Sequence, residues 1–128
     1  MKKTIILFTL AILVGVVLLS SCAASGPDAA VAAWWQALVD KDSAQVSSLS
    51  CAVYEPEALT TLESFNAVET KLDDLVCTVS SEEGDNAKVT CTGSIVASYG
   101  EENMVIDLSL RTYLAQKEGG DWRMCGAE

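Results

Sequence analysis

The chain has 128 residues, a formal net charge of −10 at pH 7, five cysteines and no histidine. This acidic balance disfavours nucleic acid and anionic lipid headgroups as partners, because like charges repel. The absence of histidine excludes Ser-His-Asp and Cys-His catalysis, and the length suits one small domain.

The N-terminal segment has the composition of a secretory signal peptide. Lys2 and Lys3 precede an uncharged, mostly aliphatic stretch over residues 4–19, which ends in small residues. This order of charge, apolar middle and small-residue boundary is typical of such signals. The stretch is shorter than the roughly 20 apolar residues of a spanning helix. The sequence therefore predicts that the rest of the chain folds outside the cytoplasm.

The boundary Leu19-Ser20-Ser21-Cys22 resembles the lipobox of bacterial lipoproteins. The resemblance implies a diacylglyceryl group on the Cys22 sulfur, a cleaved signal over residues 1–21 and a lipidated tether over 22–27. Two alternatives stay open, an uncleaved anchor and ordinary cleavage after Ala23 or Ala24. Loss of Lys2 and Lys3 would take the formal charge from −10 to −12. We therefore expect a lipid-anchored protein on the extracytoplasmic side of a bacterial membrane, either the inner or the outer one.

The remaining four cysteines predict two disulfides. An even number of cysteines in a small exported domain is typical of a disulfide framework. Zinc binding is disfavoured because the chain has no C-x-x-C spacing and no histidine. We expect no metal and no cofactor. The four residues are Cys51, Cys77, Cys91 and Cys125.

Three helices are predicted in the first half of the mature chain. Asp42, with Gln45 three residues later, predicts the capped start of a second, short helix. Pro56 predicts the start of a third helix that continues to about Phe65. The first helix is predicted over residues 28–40 from apolar residues at helical spacing, namely Val31, Trp34, Trp35, Leu38 and Val39.

After about residue 67, the spacing of the apolar residues changes from that of helices to the alternation typical of strands. Turn residues at Gly84, Gly100-Glu101 and Gly119-Gly120 separate the strand-like runs, which predicts an antiparallel meander. Helices followed by such a sheet make an α+β fold. The predicted runs are residues 73–79, 87–92, 94–99, 104–115 and 122–125.

Alternation along these strands predicts the cysteine pairing. A turn centred on Gly84 places Cys77 opposite Cys91, near the spacing that a disulfide needs. Cys125 is predicted to point inward, where Cys51 from the helical layer can reach it. The predicted pairs are Cys77–Cys91 and Cys51–Cys125.

The same alternation predicts one continuous apolar face. The turns place Ser81 opposite Ala87, Cys91 opposite Leu110 and Leu114 opposite Cys125. Lys88, Asp107 and Arg111 are predicted on the outer face, which leaves no carboxylate on the inner one. The predicted inner residues are Val79, Val89, Ile95, Met104, Ile106, Leu108, Leu110 and Leu114.

The run VAAWWQALVDKDSAQVSSL, followed by a meander ending in GGDWRMCG, resembles the NTF2-like (cystatin-like) superfamily and the small bacterial lipoproteins that carry it. The resemblance implies a single domain over residues 28–128, shaped as a helix-filled cone. It also implies a ligand at the mouth of the cone and a homodimer through the sheet. Some members are enzymes and many only bind or scaffold, so the fold does not select the function.

Three aromatic residues are candidates for a ligand pocket. Trp34 and Trp35 are adjacent, so on a helix their side chains point about 100° apart. We expect one of them in the core and the other at the mouth. Tyr99 is predicted to face inward near a strand end.

The sequence favours a lipid-anchored extracytoplasmic module that binds a small molecule or protein without catalysis. The alternative is an NTF2-like hydrolase or isomerase that uses a carboxylate inside the cone. A redox protein with exchanging thiols is a third class, and inward-facing paired cysteines argue against it.

Overall fold

The computed structural model describes residues 26–128, so the signal segment and Cys22 lie outside the described residues. Three helices come first and a five-stranded sheet follows, which confirms the predicted α+β fold. Among the helices of residues 26–128, none has both the length and the apolar character needed to cross a bilayer. The helices are α1 (Pro27–Val39), α2 (Ser43–Ser48) and α3 (Glu55–Phe65), and the strands are β1 (Glu69–Glu83), β2 (Asn86–Tyr99), β3 (Glu102–Asp107), β4 (Thr112–Glu118) and β5 (Asp121–Ala127).

The sheet is antiparallel and is built around β2. One edge of β2 pairs with β1. The other edge is shared, because β3 pairs with residues 94–99 and β4 pairs with residues 86–90. β5 then pairs with β4 through a tight turn at Gly119-Gly120. The predicted single run over 104–115 is therefore two strands.

A short 3₁₀ helix, Leu108–Leu110, separates β3 from β4. The Asp107 carboxylate accepts hydrogen bonds from the Ser109 amide at 2.9 Å and from the Ser109 hydroxyl at 2.7 Å. We call the 3₁₀ helix Leu108–Leu110, together with its Asp107 cap, the capped turn. It buries Leu108, which is 1% exposed, and leaves Leu110 79% exposed.

The capped turn changes the register that alternation predicts. Thr112 pairs with Thr90, so the predicted pairing of Cys91 with Leu110 is wrong. Tyr113 and Ala115 are buried on β4, and Leu114 is only half-buried.

Two irregularities elsewhere in the sheet also correct the predicted register. One bulge in β1 pairs Ser81 with Lys88 instead of Ala87. Another, at Leu114, pairs that residue with Gly126 instead of Cys125. Val79 and Met104, predicted on the inner face, are exposed although they pair regularly with Val89 and Ala97, so the bulges do not account for their exposure. Each bulge inserts one unpaired residue and reverses the alternation beyond it.

The core lies between α1 and the sheet. Val31, Trp34 and Leu38 are buried on α1, against Val89 and Ile95 of β2. The start of α2 is as predicted, because the Asp42 carboxylate accepts from the Gln45 amide at 3.1 Å.

One buried polar side chain, that of Ser50, joins α1 to α2. The Trp34 indole donates to the Ser50 hydroxyl at 2.8 Å, and that hydroxyl donates to the Val46 carbonyl at 2.6 Å. Beside it, the Met124 amide donates to the Leu49 carbonyl, and the Cys51 amide donates to the Met124 carbonyl, both at 2.8 Å. The segment before α3 is thereby held along β5.

Both predicted cysteine pairs lie within disulfide-bonding distance. The Cα atoms of Cys51 and Cys125 are 5.0 Å apart, and those of Cys77 and Cys91 are 4.0 Å apart. The first pair links residues 74 positions apart in sequence and ties the segment before α3 to β5.

A further bulge bends β1 where it crosses Gly93 of β2. The register shifts between Asp73 and Val76, and Asp74 has a φ of +51°. Gly93 has a φ of +97°, and a Cβ there would lie 2.5 Å from the Asp74 carbonyl oxygen. Only glycine allows the two backbones to approach this closely.

We expect Gly93→Ala to lower the free energy of unfolding by about 3 kcal/mol, because positive φ and a backbone clash act together. Gly84→Ala is the matched control. Gly84 has a φ of +60°, and a Cβ there would meet nothing within 4 Å. Gly84→Ala is therefore expected to lower the free energy of unfolding by only about 1 kcal/mol. Urea unfolding measures both, and equal costs would contradict the close approach at Gly93.

Candidate functional site

A cavity of about 500 Å³ opens between the helices and the strand ends around the capped turn. This volume is within the range of small-molecule sites, roughly 300–1,000 Å³. Its lining is mostly apolar and comes from α1, α3, the capped turn and all strands except β1 and β2. The lining residues are Trp34, Trp35, Tyr54, Glu57, Thr61, Met104, Val105, Ile106, Asp107, Leu108, Leu110, Arg111, Tyr113, Met124 and Ala127.

Four aromatic rings form one wall of the cavity. The ring centroids of Trp34 and Trp35 are 4.9 Å apart in an edge-to-face arrangement. Trp34 also lies 6.0 Å from Tyr54, and Trp35 lies 5.4 Å from Tyr113. Such offset and edge contacts are attractive and hold the rings in place.

The structure brings two of the three predicted pocket residues to this cavity. Trp34 is 1% exposed and belongs to the core, while Trp35 is only partly buried, and both rings line the cavity. Tyr99 is 48% exposed at the end of β2, where it pairs with Glu102, and it does not line the cavity. The inward orientation predicted for Tyr99 is therefore not observed.

Three charged residues line the same cavity, and all three are exposed. Asp107 and Arg111, predicted on the outer face, flank the capped turn and line the cavity. Glu57 joins them from α3. The predicted lack of carboxylates at the cone is therefore corrected: Asp107 lines the cavity from the end of β3, and the capped turn ends the alternation that assigned Arg111 outward.

Two phenols, those of the buried Tyr113 and the half-buried Tyr54, complete the polar part of the cavity. Burial raises the pKa of Tyr113 to about 12 against the opposing charge of Arg111. Its hydroxyl donates to the Leu108 carbonyl at 2.8 Å. Burial, reinforced by Glu57, also raises the pKa of Tyr54. Both phenols are therefore uncharged at pH 7.

The Asp107 carboxylate is held in its ionised form. The hydrogen bonds from the Ser109 hydroxyl and amide lower the pKa of Asp107. Within residues 26–128, no group of three or more histidine, cysteine or acidic side chains is placed to hold a metal ion.

Sequence reasoning missed Tyr54, Glu57, Thr61 and Tyr113. Tyr54 comes just before the predicted third helix, and its position depends on the hydrogen bonds of the preceding segment to β5. Tyr113 could have been found only by recognising that Asp107 and Ser109 match an N-terminal cap.

No protein-family model matches the chain, and no curated protein matches it either. Solved structures do match. A SEC-C motif containing protein from Rhodopseudomonas palustris aligns with a TM-score of 0.58 at 14% identity, covering 83% of this chain and 80% of that one.

A proposed dehydratase of the NTF2-like family from Streptomyces avermitilis aligns with a TM-score of 0.54 at 17% identity, covering 77% of this chain and 87% of that one. The chain has an NTF2-like fold. The helical cell shape determining protein Pgp2 of Campylobacter jejuni aligns at 0.51 and 11% identity, covering 78% of this chain but 38% of Pgp2. At these identities the likeness concerns the fold, and it does not select among functions.

We expect Tyr113→Phe to remove the phenolate absorbance that appears last as pH rises, with a midpoint near pH 12. The physical reason is that a buried phenolate lacks solvation. Difference titration at 295 nm against the unsubstituted protein measures the midpoint. Tyr99→Phe, which removes an exposed hydroxyl, is the control. A Tyr113 difference with a midpoint at the ordinary tyrosine value of about 10 would contradict the burial of Tyr113.

Proposed function

We propose that this protein is a lipid-anchored extracytoplasmic module that binds a small ligand in its cavity without catalysing a reaction. The observation that carries the proposal is the aromatic-walled cavity of about 500 Å³. Preformed, mostly apolar cavities with a few polar groups are typical of small-molecule sites.

The state of the polar groups favours binding over acid–base chemistry. An effective general base has a pKa near the operating pH. The Ser109 hydrogen bonds move the pKa of Asp107 away from that range, and Asp107 is fully exposed. Tyr113, with a pKa of about 12 and its proton committed to a carbonyl, is a poor general acid at neutral pH. A hydrolase or isomerase that uses a cavity carboxylate is therefore the weaker alternative.

The cysteine pairs support an extracytoplasmic location. Disulfides persist in oxidising compartments, and both pairs are within bonding distance. Cys51 and Cys91 are buried, which disfavours thiol exchange and the redox class. The tether over 22–27 would span at most about 20 Å, so an acylated Cys22 keeps the domain close to the membrane.

We expect the protein extracted from membranes, and alkylated without reduction, to have the mass of a chain that begins at an acylated Cys22. Its four other cysteines carry no alkyl group, because each is in a disulfide. Intact-mass spectrometry measures both features. Cys22→Ala loses the acyl mass, whereas Ser20→Ala, which keeps a small residue before the cleavage point, retains it. A chain that begins at Ala24 or Ser25, or one that carries alkylated thiols, would contradict the proposal.

We expect the cavity to bind a small uncharged arene such as p-xylene. The anchored protein in lipid nanodiscs reports binding through its three indole N–H signals in nuclear magnetic resonance spectra. Trp34 and Trp35 line the cavity and their signals shift. Trp122 lies outside the lining and its signal stays in place.

Two cavity-filling variants test the location of this binding. Ala127→Phe and Thr61→Phe fill the cavity from opposite walls and reduce the shifts several-fold. Ala44→Phe, which enlarges an exposed residue of α2 outside the cavity, leaves them unchanged. Unmoved signals for Trp34 and Trp35 at saturating arene would overturn the proposed function.

A further inference from the structure

We infer that the ligand is an amphipathic molecule with an apolar body and an uncharged, hydrogen-bonding head, such as a hydroxyl or a carbonyl, that lies between Tyr54 and Arg111. The inference rests on the proposed function, since it names the ligand class for the same cavity. Three features of the cavity carry it: its inner wall, the donors at its mouth and the signs of the charges there.

The inner wall selects an apolar body. Trp34, Leu108 and Met124 are each 1% exposed and carry no charge. The Trp34 indole N–H is engaged by Ser50, and the Trp35 indole N–H in the same lining has no hydrogen-bond partner within residues 26–128. A charged group buried here would lose its hydration without compensation.

The mouth extends this apolar surface outward. Met104, Val105 and Leu110 line the cavity and are 46%, 64% and 79% exposed. Single exposed apolar residues are ordinary, but three around one opening form a contiguous patch of the kind that marks ligand sites. An apolar body longer than the buried part of the cavity would cover them.

Two hydrogen-bonding groups line the cavity from different elements: Tyr54 just before α3 and Arg111 just after the capped turn. The positive charge of Arg111 acts on both phenols, where it opposes the burial that raises the pKa of Tyr54 and of Tyr113. Within residues 26–128, no ion pair engages the Arg111 guanidinium, although two carboxylates line the same cavity. The guanidinium and the Tyr54 hydroxyl can therefore donate to an acceptor oxygen of a ligand.

An acceptor for a ligand hydroxyl is present as well. The Tyr113 hydroxyl donates its hydrogen bond to the Leu108 carbonyl. The lone pairs of the Tyr113 hydroxyl oxygen can therefore still accept a hydrogen bond. A head that both donates and accepts thus finds partners of each kind.

The charges at the mouth disfavour a charged head of either sign. Glu57 and Asp107 repel an anion, and residues 26–128 carry all 18 acidic residues of the chain. Arg111 repels a cation that enters the same space. A charged head of either sign therefore faces a like charge in this lining and also loses hydration on entering the cavity, whereas an uncharged head does neither.

Three water-soluble arenes of matched shape test the inference: 4-methylbenzyl alcohol, 4-methylbenzoate and 4-methylbenzylammonium. They are titrated at 0.15 M salt into the anchored protein in nanodiscs, with the Trp34 and Trp35 indole signals as the readout and Trp122 as the internal reference. We expect the alcohol to bind at least about tenfold more tightly than either ion, since an unpaired charge at the mouth is penalised.

Variants then locate the head. Arg111→Met keeps an apolar stem and weakens the alcohol about tenfold, because a charged donor is lost. Lys71→Met removes one positive charge from an exposed residue outside the cavity and leaves binding unchanged. Glu57→Gln strengthens benzoate, because one repelling carboxylate is gone.

The outcomes separate the two proposals. If p-xylene binds and benzoate or benzylammonium binds as tightly as the alcohol, the proposed function stands and the uncharged head is overturned. If Arg111→Met and Lys71→Met have equal effects, the position of the head is overturned. If no arene moves the Trp34 and Trp35 signals, the proposed function itself fails.

Discussion

The cavity depends on two hydrogen bonds that end a strand. Asp107 accepts from the amide and the hydroxyl of Ser109, and β3 stops there. The capped turn that follows buries Leu108, turns Arg111 toward the cavity and starts β4 with Tyr113 facing inward. An uninterrupted strand would have buried Leu110 and Leu114 and kept Asp107 and Arg111 on the outer surface.

The opposite wall is positioned by contacts between the helices and β5. The Ser50 hydroxyl accepts a hydrogen bond from the Trp34 indole N–H. The backbone of Leu49 and Cys51 forms hydrogen bonds with the backbone of Met124. The Cys51–Cys125 pair joins the same two segments. Tyr54, the residue just before α3, therefore has a fixed position beside Trp34. The aromatic wall is thus held by hydrogen bonds and a cysteine pair at its back.

Charge is distributed to suit an apolar site in an acidic protein. The acidic residues are mostly at exposed positions, where water hydrates their charges. At the cavity the same surface meets uncharged phenols and one guanidinium. This combination places hydrogen-bonding capacity at the mouth and leaves the inner wall apolar, which is why ligand binding is a better account of the site than proton transfer.

Much of the fold could be predicted from the sequence, because the information is local. Helical spacing of apolar residues, the Asp42 cap and the glycine turns specify the elements and their order, and the turn at Gly84 brings Cys77 opposite Cys91. The candidate site could be predicted only in part. Trp34 and Trp35 follow from the apolar spacing of α1, but Tyr54 and Glu57 do not follow from any local pattern, and Arg111 and Tyr113 follow only once the Asp107 cap is recognised.

The sequence by itself therefore determined the α+β order, the cysteine pairs and the helix that carries the tryptophans. Only the tertiary structure decided which residues face the cavity. The physical reason is that alternation along a strand has a period of two, so every bulge or capped turn reverses the faces beyond it. Whether such an interruption forms is settled by packing against the other strands and helices, as Gly93 against Asp74 and Leu108 in the core show.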